Sequence, residues 1–351
     1  MAEQNNAARL RAKSGVAAFP DAQWRQIADA GWFRILVDEQ HGGLGLGVRE
    51  LGAVFRAAGA GLVRGPLLEH AVGLAVLANG AGPAWSDLLG QALDGQRLIV
   101  FAETLDALAG TTGSLRYHDG LLDGVAELVP FGQYADDLLV VAVHAGRLLL
   151  LRVDAARPRR LPCRSVDPCA EYCRLEFEGL LVPATDIVLA DAEALLASIE
   201  DTRRLMMAAE LSGAVDCLVD MAVEYARMRK QFGRPIGSFQ ALQHMLAELA
   251  ARGGALRHLV AATLDDVAAD PARLHELAII AKAYACTTGR YAAEESLQVH
   301  GGIGFTNDLP LHLYYRRVLT HQGFLGESDA LMCELGRLML ASALTATTEG
   351  T

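Results

Sequence analysis

Arg229-Lys-Gln-Phe-Gly-Arg-Pro-Ile-Gly-Ser-Phe-Gln240 gathers cations, amides and a helix-breaking Gly-Arg-Pro turn into one short stretch. A dinucleotide pyrophosphate needs positive charge and hydrogen-bond donors, which Arg229 and the backbone amides of that turn can supply. Gln240, and Gln298 in Gln298-Val-His-Gly-Gly-Ile-Gly-Phe305, present amide edges suited to an adenosine, while Gly301-Gly302 lets the chain approach a ligand closely. A plainer reading stays open here: Arg229 and Lys230 as a solvated helix end, the glycines as a helix C-cap.

Other chemistry is poorly supported. The glycine-dense run Glu39 to Gly47 contains GxG, but a helical pattern precedes it and no βαβ unit surrounds it, so a Rossmann loop is not expected. The six cysteines are scattered singly except Cys163, Cys169 and Cys173, whose spacing matches neither a zinc pair nor a redox CxxC. Reduced, buried thiols and no metal site are expected.

Three parts must position these residues. Residues 1–97 read as a helical domain, with Trp24, Ile27 and Ala28 on one apolar stripe and Leu51, Val54, Phe55 and Ala58 on another. Residues 98–190 read as a small β domain, barrel or sandwich, from the runs Leu98–Phe101, Gly120–Val129, Asp137–Val143, Arg147–Val153 and Tyr172–Phe177. Residues 191–351 return to long Ala-, Leu- and Met-rich helices broken at Gly233–Gly237, Asp270-Pro271 and Gly301–Pro310, which argues for a four-helix bundle. The fold class is α+β.

With 351 residues, 31 basic and 42 acidic, the chain carries a formal charge of −11. Such a surface gives phosphate backbones no long-range attraction, so neither nucleic acid nor an anionic membrane is an expected partner. The longest uncharged stretch, between Glu69 and Asp87, holds Gly73, Gly80, Gly82 and Pro83 and is no membrane span. Met1 to Phe19 lacks the apolar segment of a secretory signal, so a cytoplasmic location is expected.

The two stretches first described resemble, in order, the two C-terminal signatures of acyl-CoA dehydrogenases, the second continuing to Pro310 and Tyr314-Tyr-Arg-Arg317. Gly31-Trp32 through Gly47 is similar to that family's N-terminal turn, and Leu181-Val-Pro-Ala184 to the segment leaving its β domain. The resemblance implies FAD as cofactor, an acyl-CoA thioester as substrate and α,β-dehydrogenation as the reaction. It assigns Arg229, Gln231, Phe232, Gln240, Gln298, Gly301 and Gly302 to a flavin held mainly by a neighbouring subunit, and Arg204 to substrate.

The sequence also departs from that family. The glutamate that removes the α-proton usually follows the second signature, and counting from Arg316 its place is taken by Leu325 in Phe324-Leu-Gly-Glu-Ser328. A second family position for the base aligns with Arg203, which stays protonated and cannot serve. Glu327 is the nearest carboxylate that a rearranged turn could deliver, although it also suits a helix N-terminus. In the β domain the family's Thr-Glu is inverted to Glu103-Thr104, and its Trp-Ile-Thr-like strand becomes Leu128-Val-Pro-Phe131. Contacts to a chain's own flavin are thus degraded while those lent to a neighbour are kept. This implies a flavin-site-sharing subunit of a homo- or hetero-oligomer with a sister acyl-CoA dehydrogenase. The alternatives are a self-sufficient dehydrogenase with a displaced base, or a structural or thioester-binding subunit without flavin.

Overall fold

Apolar spacing accounts for α1 (Asp21–Asp29), whose stripe Trp24, Ile27 and Ala28 is buried. The glycine-dense turn after it contains two 3-10 segments, Trp32–Arg34 and Glu39–His41, and leads into α2 (Val48–Ala60) rather than lying in a βαβ unit. The structure, a computed structural model, describes residues 19–80, 85–103 and 115–349. The expectations placed on residues 1–18, Gly82, Pro83 and Thr104 fall outside the described residues.

Two compact units emerge. One contains residues 19–51 and Arg64–Glu200, the other Gly52–Val63 and the chain from Asp201 onward. In the first, α3 (Leu67–Gly80) is buried on most of its circumference and is followed by α4 (Ser86–Leu93). His70 of α3 ties these helices to the sheet: its Nε2 donates to Ala92 O at 3.0 Å and its Nδ1 accepts from Ile99 N at 3.2 Å. Complete burial, only partly opposed by those two backbone contacts, pushes this imidazole down to about 4, so it is neutral at physiological pH.

The strands are β1 (Ile99–Ala102), β2 (Arg116–His118), β3 (Leu121–Pro130), β4 (Asp137–His144), β5 (Arg147–Asp154), β6 (Arg159–Cys163), β7 (Tyr172–Leu181) and β8 (Ile187–Leu189). They form one sheet in the order β6-β7-β3-β2-β4-β5-β8, with β1 paired in parallel to β4. Among the described residues the expected barrel or sandwich is not closed: β6 and β8 stand at opposite ends of this order. Edge positions suit both strands. β6 contains Pro162, which has no N–H to give to a further strand, and β8 is three residues long. Asp137 opens β4 almost fully buried, and it accepts from Arg97 Nε at 2.7 Å and Arg152 Nε at 2.8 Å.

The second unit holds α5 (Glu193–Met228) from Asp201, α6 (Gln240–Ala269), α7 (Leu274–His300), α8 (Leu311–Gly323) and α9 (Ser328–Glu349). Its helices end where glycine and proline were expected to break them. α2 crosses α5 at very short range: a Cβ on Gly59 would lie 1.9 Å from Glu210 O, and one on Gly213 would lie 1.9 Å from Arg56 O. Leu331 of α9 packs on Ile279 and Ala283 of α7. Among the described residues no helix is long and apolar enough to cross a membrane. All six cysteines are free; Cys169, Cys173 and Cys286 are buried as expected, whereas Cys333 is exposed on α9.

Candidate functional site

Where α5 ends, the chain forms a hairpin. β9 (Lys230–Gln231) and β10 (Arg234–Pro235) pair in antiparallel fashion around Phe232 and Gly233, whose φ values are 53° and 79°. Two consecutive positive φ angles are what a two-residue hairpin matched to strand twist requires. A bulky residue in that region is uncommon, and the ring of Phe232 is 92% exposed. The root is fixed by Arg229 N donating to Tyr225 O and Ile236 N donating to Arg229 O, both at 2.8 Å. The Arg234 guanidinium lies over the Phe239 ring at 4.2 Å.

One stacked pair joins this hairpin to the end of α7. The rings of Tyr225 and His300 are 4.4 Å apart at 27°, and His300 Nδ1 is 2.7 Å from Ser296 O. Gly301, at φ 63°, and Gly302 come directly after His300, and a Cβ on either would meet nothing within 4 Å. Arg229, Gln231, Phe232, Gln240, Gln298, Gly301 and Gly302 are all exposed. The two signatures therefore present polar groups and open backbone at one end of the second unit.

The segment from His321 to Glu327 is built in the opposite way. Leu325 and Gly326 both take positive φ, 57° and 104°, and a Cβ on Gly326 would lie 2.8 Å from the buried Leu331 side chain. Leucine in this conformation costs about 1–2 kcal/mol. Two buried cations bind the turn. Arg204 Nε donates to Leu325 O at 3.0 Å, while its NH1 pairs with Asp201 at 3.0 Å. Lys282 Nζ donates to His321 O at 2.7 Å, Cys286 Sγ at 3.1 Å and Gly326 O at 3.4 Å. Glu327 is exposed, and its carbonyl accepts from Leu331 N in the first turn of α9.

Beneath that segment lies a buried ionic cluster. Glu210 of α5 pairs with Arg317 and with His321 of α8, the latter at 3.0 Å, and Arg317 also reaches Val63 O at 3.3 Å. Burial alone would raise the Glu210 carboxyl, but the facing Arg317 and His321 and their hydrogen bonds prevail and hold it down to about 2.

Comparison with known proteins decides the family. The acyl-CoA dehydrogenase N-terminal domain matches residues 2–81, and the acyl-CoA dehydrogenase C-terminal domain matches residues 198–340. Acyl-CoA dehydrogenase IpdE2 of Mycobacterium tuberculosis is 31% identical over 300 residues, which span 85% of this chain and 80% of that protein. The chain belongs to the acyl-CoA dehydrogenase family. FadE27 of the same organism is 31% identical over 327 residues, covering 90% of this chain and 87% of that acyl-CoA dehydrogenase. Among solved structures, the ChsE4–ChsE5 complex from Mycobacterium tuberculosis contains a chain with a TM-score of 0.83 and 28% identity, covering 95% of this chain and 91% of that one. The glutaryl-coenzyme A dehydrogenase–glutaryl-CoA complex, at 21% identity and a TM-score of 0.82, shares the fold.

The protein is thus an acyl-CoA dehydrogenase-like oxidoreductase of α+β class. The Tyr225–His300 stack links the ends of the two signatures, while Leu325 is half-buried in its turn and Glu327 is exposed. Arg203 and Arg204 are buried, the latter committed to the Leu325 turn and Asp201. The degraded β-domain stretch, Leu128 to Phe131, coincides with a register shift in β3 after Ala126, and Leu128 and Phe131 have φ of 52° and 53°. Sequence reasoning missed Tyr225, Lys282, Glu210, Arg317 and His321 as organising residues. A signal existed for Lys282, a lone cation within the apolar run Ala278 to Ala285.

Proposed function

We propose that this chain takes part in FAD-dependent α,β-dehydrogenation of an acyl-CoA thioester as a subunit that shares its flavin site with a neighbour. One observation carries the reading: Arg229, Gln231, Phe232, Gln240, Gln298, Gly301 and Gly302 are all exposed, while the base position holds Leu325 on a closed turn. The open space at Gly301 and Gly302 fits the close approach of a dinucleotide. FAD, when bound, supplies the acceptor for the hydride that leaves the substrate β-carbon.

The residues of this chain have defined tasks in that scheme. Arg229 offsets pyrophosphate charge, Gln240 and Gln298 face the adenosine part, and Gln231 and Phe232 extend the contact from the hairpin. None of them takes the α-proton. A general base must come within about 2.6–3.2 Å of the proton it removes, and Leu325 has no acceptor to offer. The base is therefore assigned to a sister acyl-CoA dehydrogenase subunit. Exposed Met332, Met339 and Leu340 on α9 support an oligomer, similarity to the ChsE4–ChsE5 complex supports a hetero-oligomer, and similarity to the Tcur3481–Tcur3483 steroid ACAD, at 26% identity, supports a bulky acyl group.

The second reading, a self-sufficient dehydrogenase using Glu327, rests on that residue being the nearest carboxylate in sequence. Visible spectra of the purified chain, alone and co-expressed with a sister subunit, test the proposal. Flavin absorbance that requires the sister supports it; full flavin loading with rapid bleaching by an acyl-CoA in the lone chain contradicts it. Absence of flavin in both preparations favours the structural alternative.

A further inference from the structure

The turn at the base position is better ordered by its surroundings than a plain loop requires. Several contacts converge on residues 321–331. Arg204, from α5, holds the Leu325 carbonyl; Lys282, from α7, holds those of His321 and Gly326; Leu331 is buried against Ile279 and Ala283 and lies against Gly326, whose φ of 104° disfavours a side chain; and Ser328 Oγ lies 3.4 Å from Ala283 O. Both cations are deeply buried, and the three donors of the Lys282 ammonium meet three acceptors. A buried ammonium is retained only where such partners replace water. Removing one partner leaves the other group unsatisfied, so this arrangement resists partial opening.

We propose that Arg204 and Lys282 are positioning residues that fix the 321–327 turn in a single shape, with Leu325 in the base position and Glu327 directed to solvent. The inference rests on the family reading only for the name of that position; the clamp itself is a property of the second unit. It has a functional consequence. Swinging Glu327 inward would require Leu325 O and Gly326 O to leave their cations while Leu331 left its pocket. A carboxylate can reach the base position by substitution at residue 325 and not by rearrangement of the turn. The clamp also explains how the scaffold keeps its shape after losing the carboxylate: none of its hydrogen bonds uses the side chain at position 325.

Hydrogen–deuterium exchange on the full chain tests the clamp without flavin or thioester. Lys282→Met, which keeps the length of the side chain and removes its donors, is expected to speed exchange across 322–331 by about tenfold or more, with the 229–235 hairpin unchanged. Arg204→Gln is expected to do the same over 324–327 and serves if Lys282→Met does not fold. Lys282→Arg is expected to restore part of the protection. Exchange at 322–331 unchanged in both Lys282→Met and Arg204→Gln, or raised equally in the hairpin, overturns the proposal. Adding butyryl-CoA to the wild-type chain with its sister subunit separates this result from the proposed function. Slow exchange at 322–331 with no flavin bleaching leaves the clamp standing while dehydrogenation of this thioester fails.

Discussion

The hairpin at 229–235 and the turn at 321–327 lie in the same unit and follow opposite rules. The hairpin exposes its cations and amides and holds Phe232, 92% exposed, on a strained two-residue turn. The 321–327 turn spends its carbonyls on two buried cations and turns its one carboxylate outward. Groups left open are available to a ligand or a neighbour; groups closed on the chain serve its own stability. Under the proposed function, the difference would separate binding from chemistry within one subunit, the open hairpin serving a neighbour's flavin and the closed turn offering no base.

The largest effect is expected beneath the closed region. Glu210→Leu leaves Arg317 buried without its carboxylate, which should cost about 3–5 kcal/mol in urea unfolding. The exposed hairpin residues should show no such cost; a destabilisation under about 1 kcal/mol would mean that the cluster does not support the turn.

Acid should act on both units in successive, slightly overlapping windows. The Glu210 carboxyl is held below its unfolded value, so its contribution is full above about 4.5 and is lost as pH falls toward about 2. His70 is also held down, to about 4 from an ordinary value near 6.5. The unfolded chain therefore takes up that proton first, and stability falls between those values. Each effect is on the order of 3 kcal/mol. Denaturant midpoints measured from pH 7 to pH 3 should decline, and His70→Gln should flatten the upper part of the decline.

Arg229→Ala probes the open region. It should leave thermal stability unchanged within about 0.5 kcal/mol, because the side chain is solvated. FAD affinity of the assembled oligomer should fall by one to two orders of magnitude, as expected for a charge-assisted contact of about 1.5–3 kcal/mol. Full flavin occupancy at ordinary dilution would contradict its assignment. Glu327→Gln is expected to have the smallest effect, with no change in FAD content and little in stability.

Much of this was legible in the residues. Helix breaks at Gly233–Gly237, Asp270-Pro271 and Gly301–Pro310 follow from local backbone chemistry, and the structure ends helices at each. The five longer apolar runs of the β domain became β1, β3, β4, β5 and β7 within a few residues. β2 and β8, of three residues each, carry too short a pattern to read, and β6 lies in a proline-rich stretch that reads as a break. Closure of the sheet depends on long-range pairing that no local pattern encodes. The two signatures were visible as sequences, but their meeting through Tyr225 and His300 was not, because residues 75 apart reveal contact only after α5, α6 and α7 have packed. The same holds for Lys282, whose carbonyl partners come from another helix and a turn.

Stopped-flow bleaching of flavin by an acyl-CoA, with the sister subunit's base intact or replaced, tests the division of labour most directly. With FAD bound in the mixed oligomer, bleaching should persist with Glu327→Gln in this chain and should vanish when the sister's base carboxylate is changed to the amide. Rapid bleaching in the isolated homomer, lost on Glu327→Gln with FAD still bound, would show that this chain performs the proton abstraction itself.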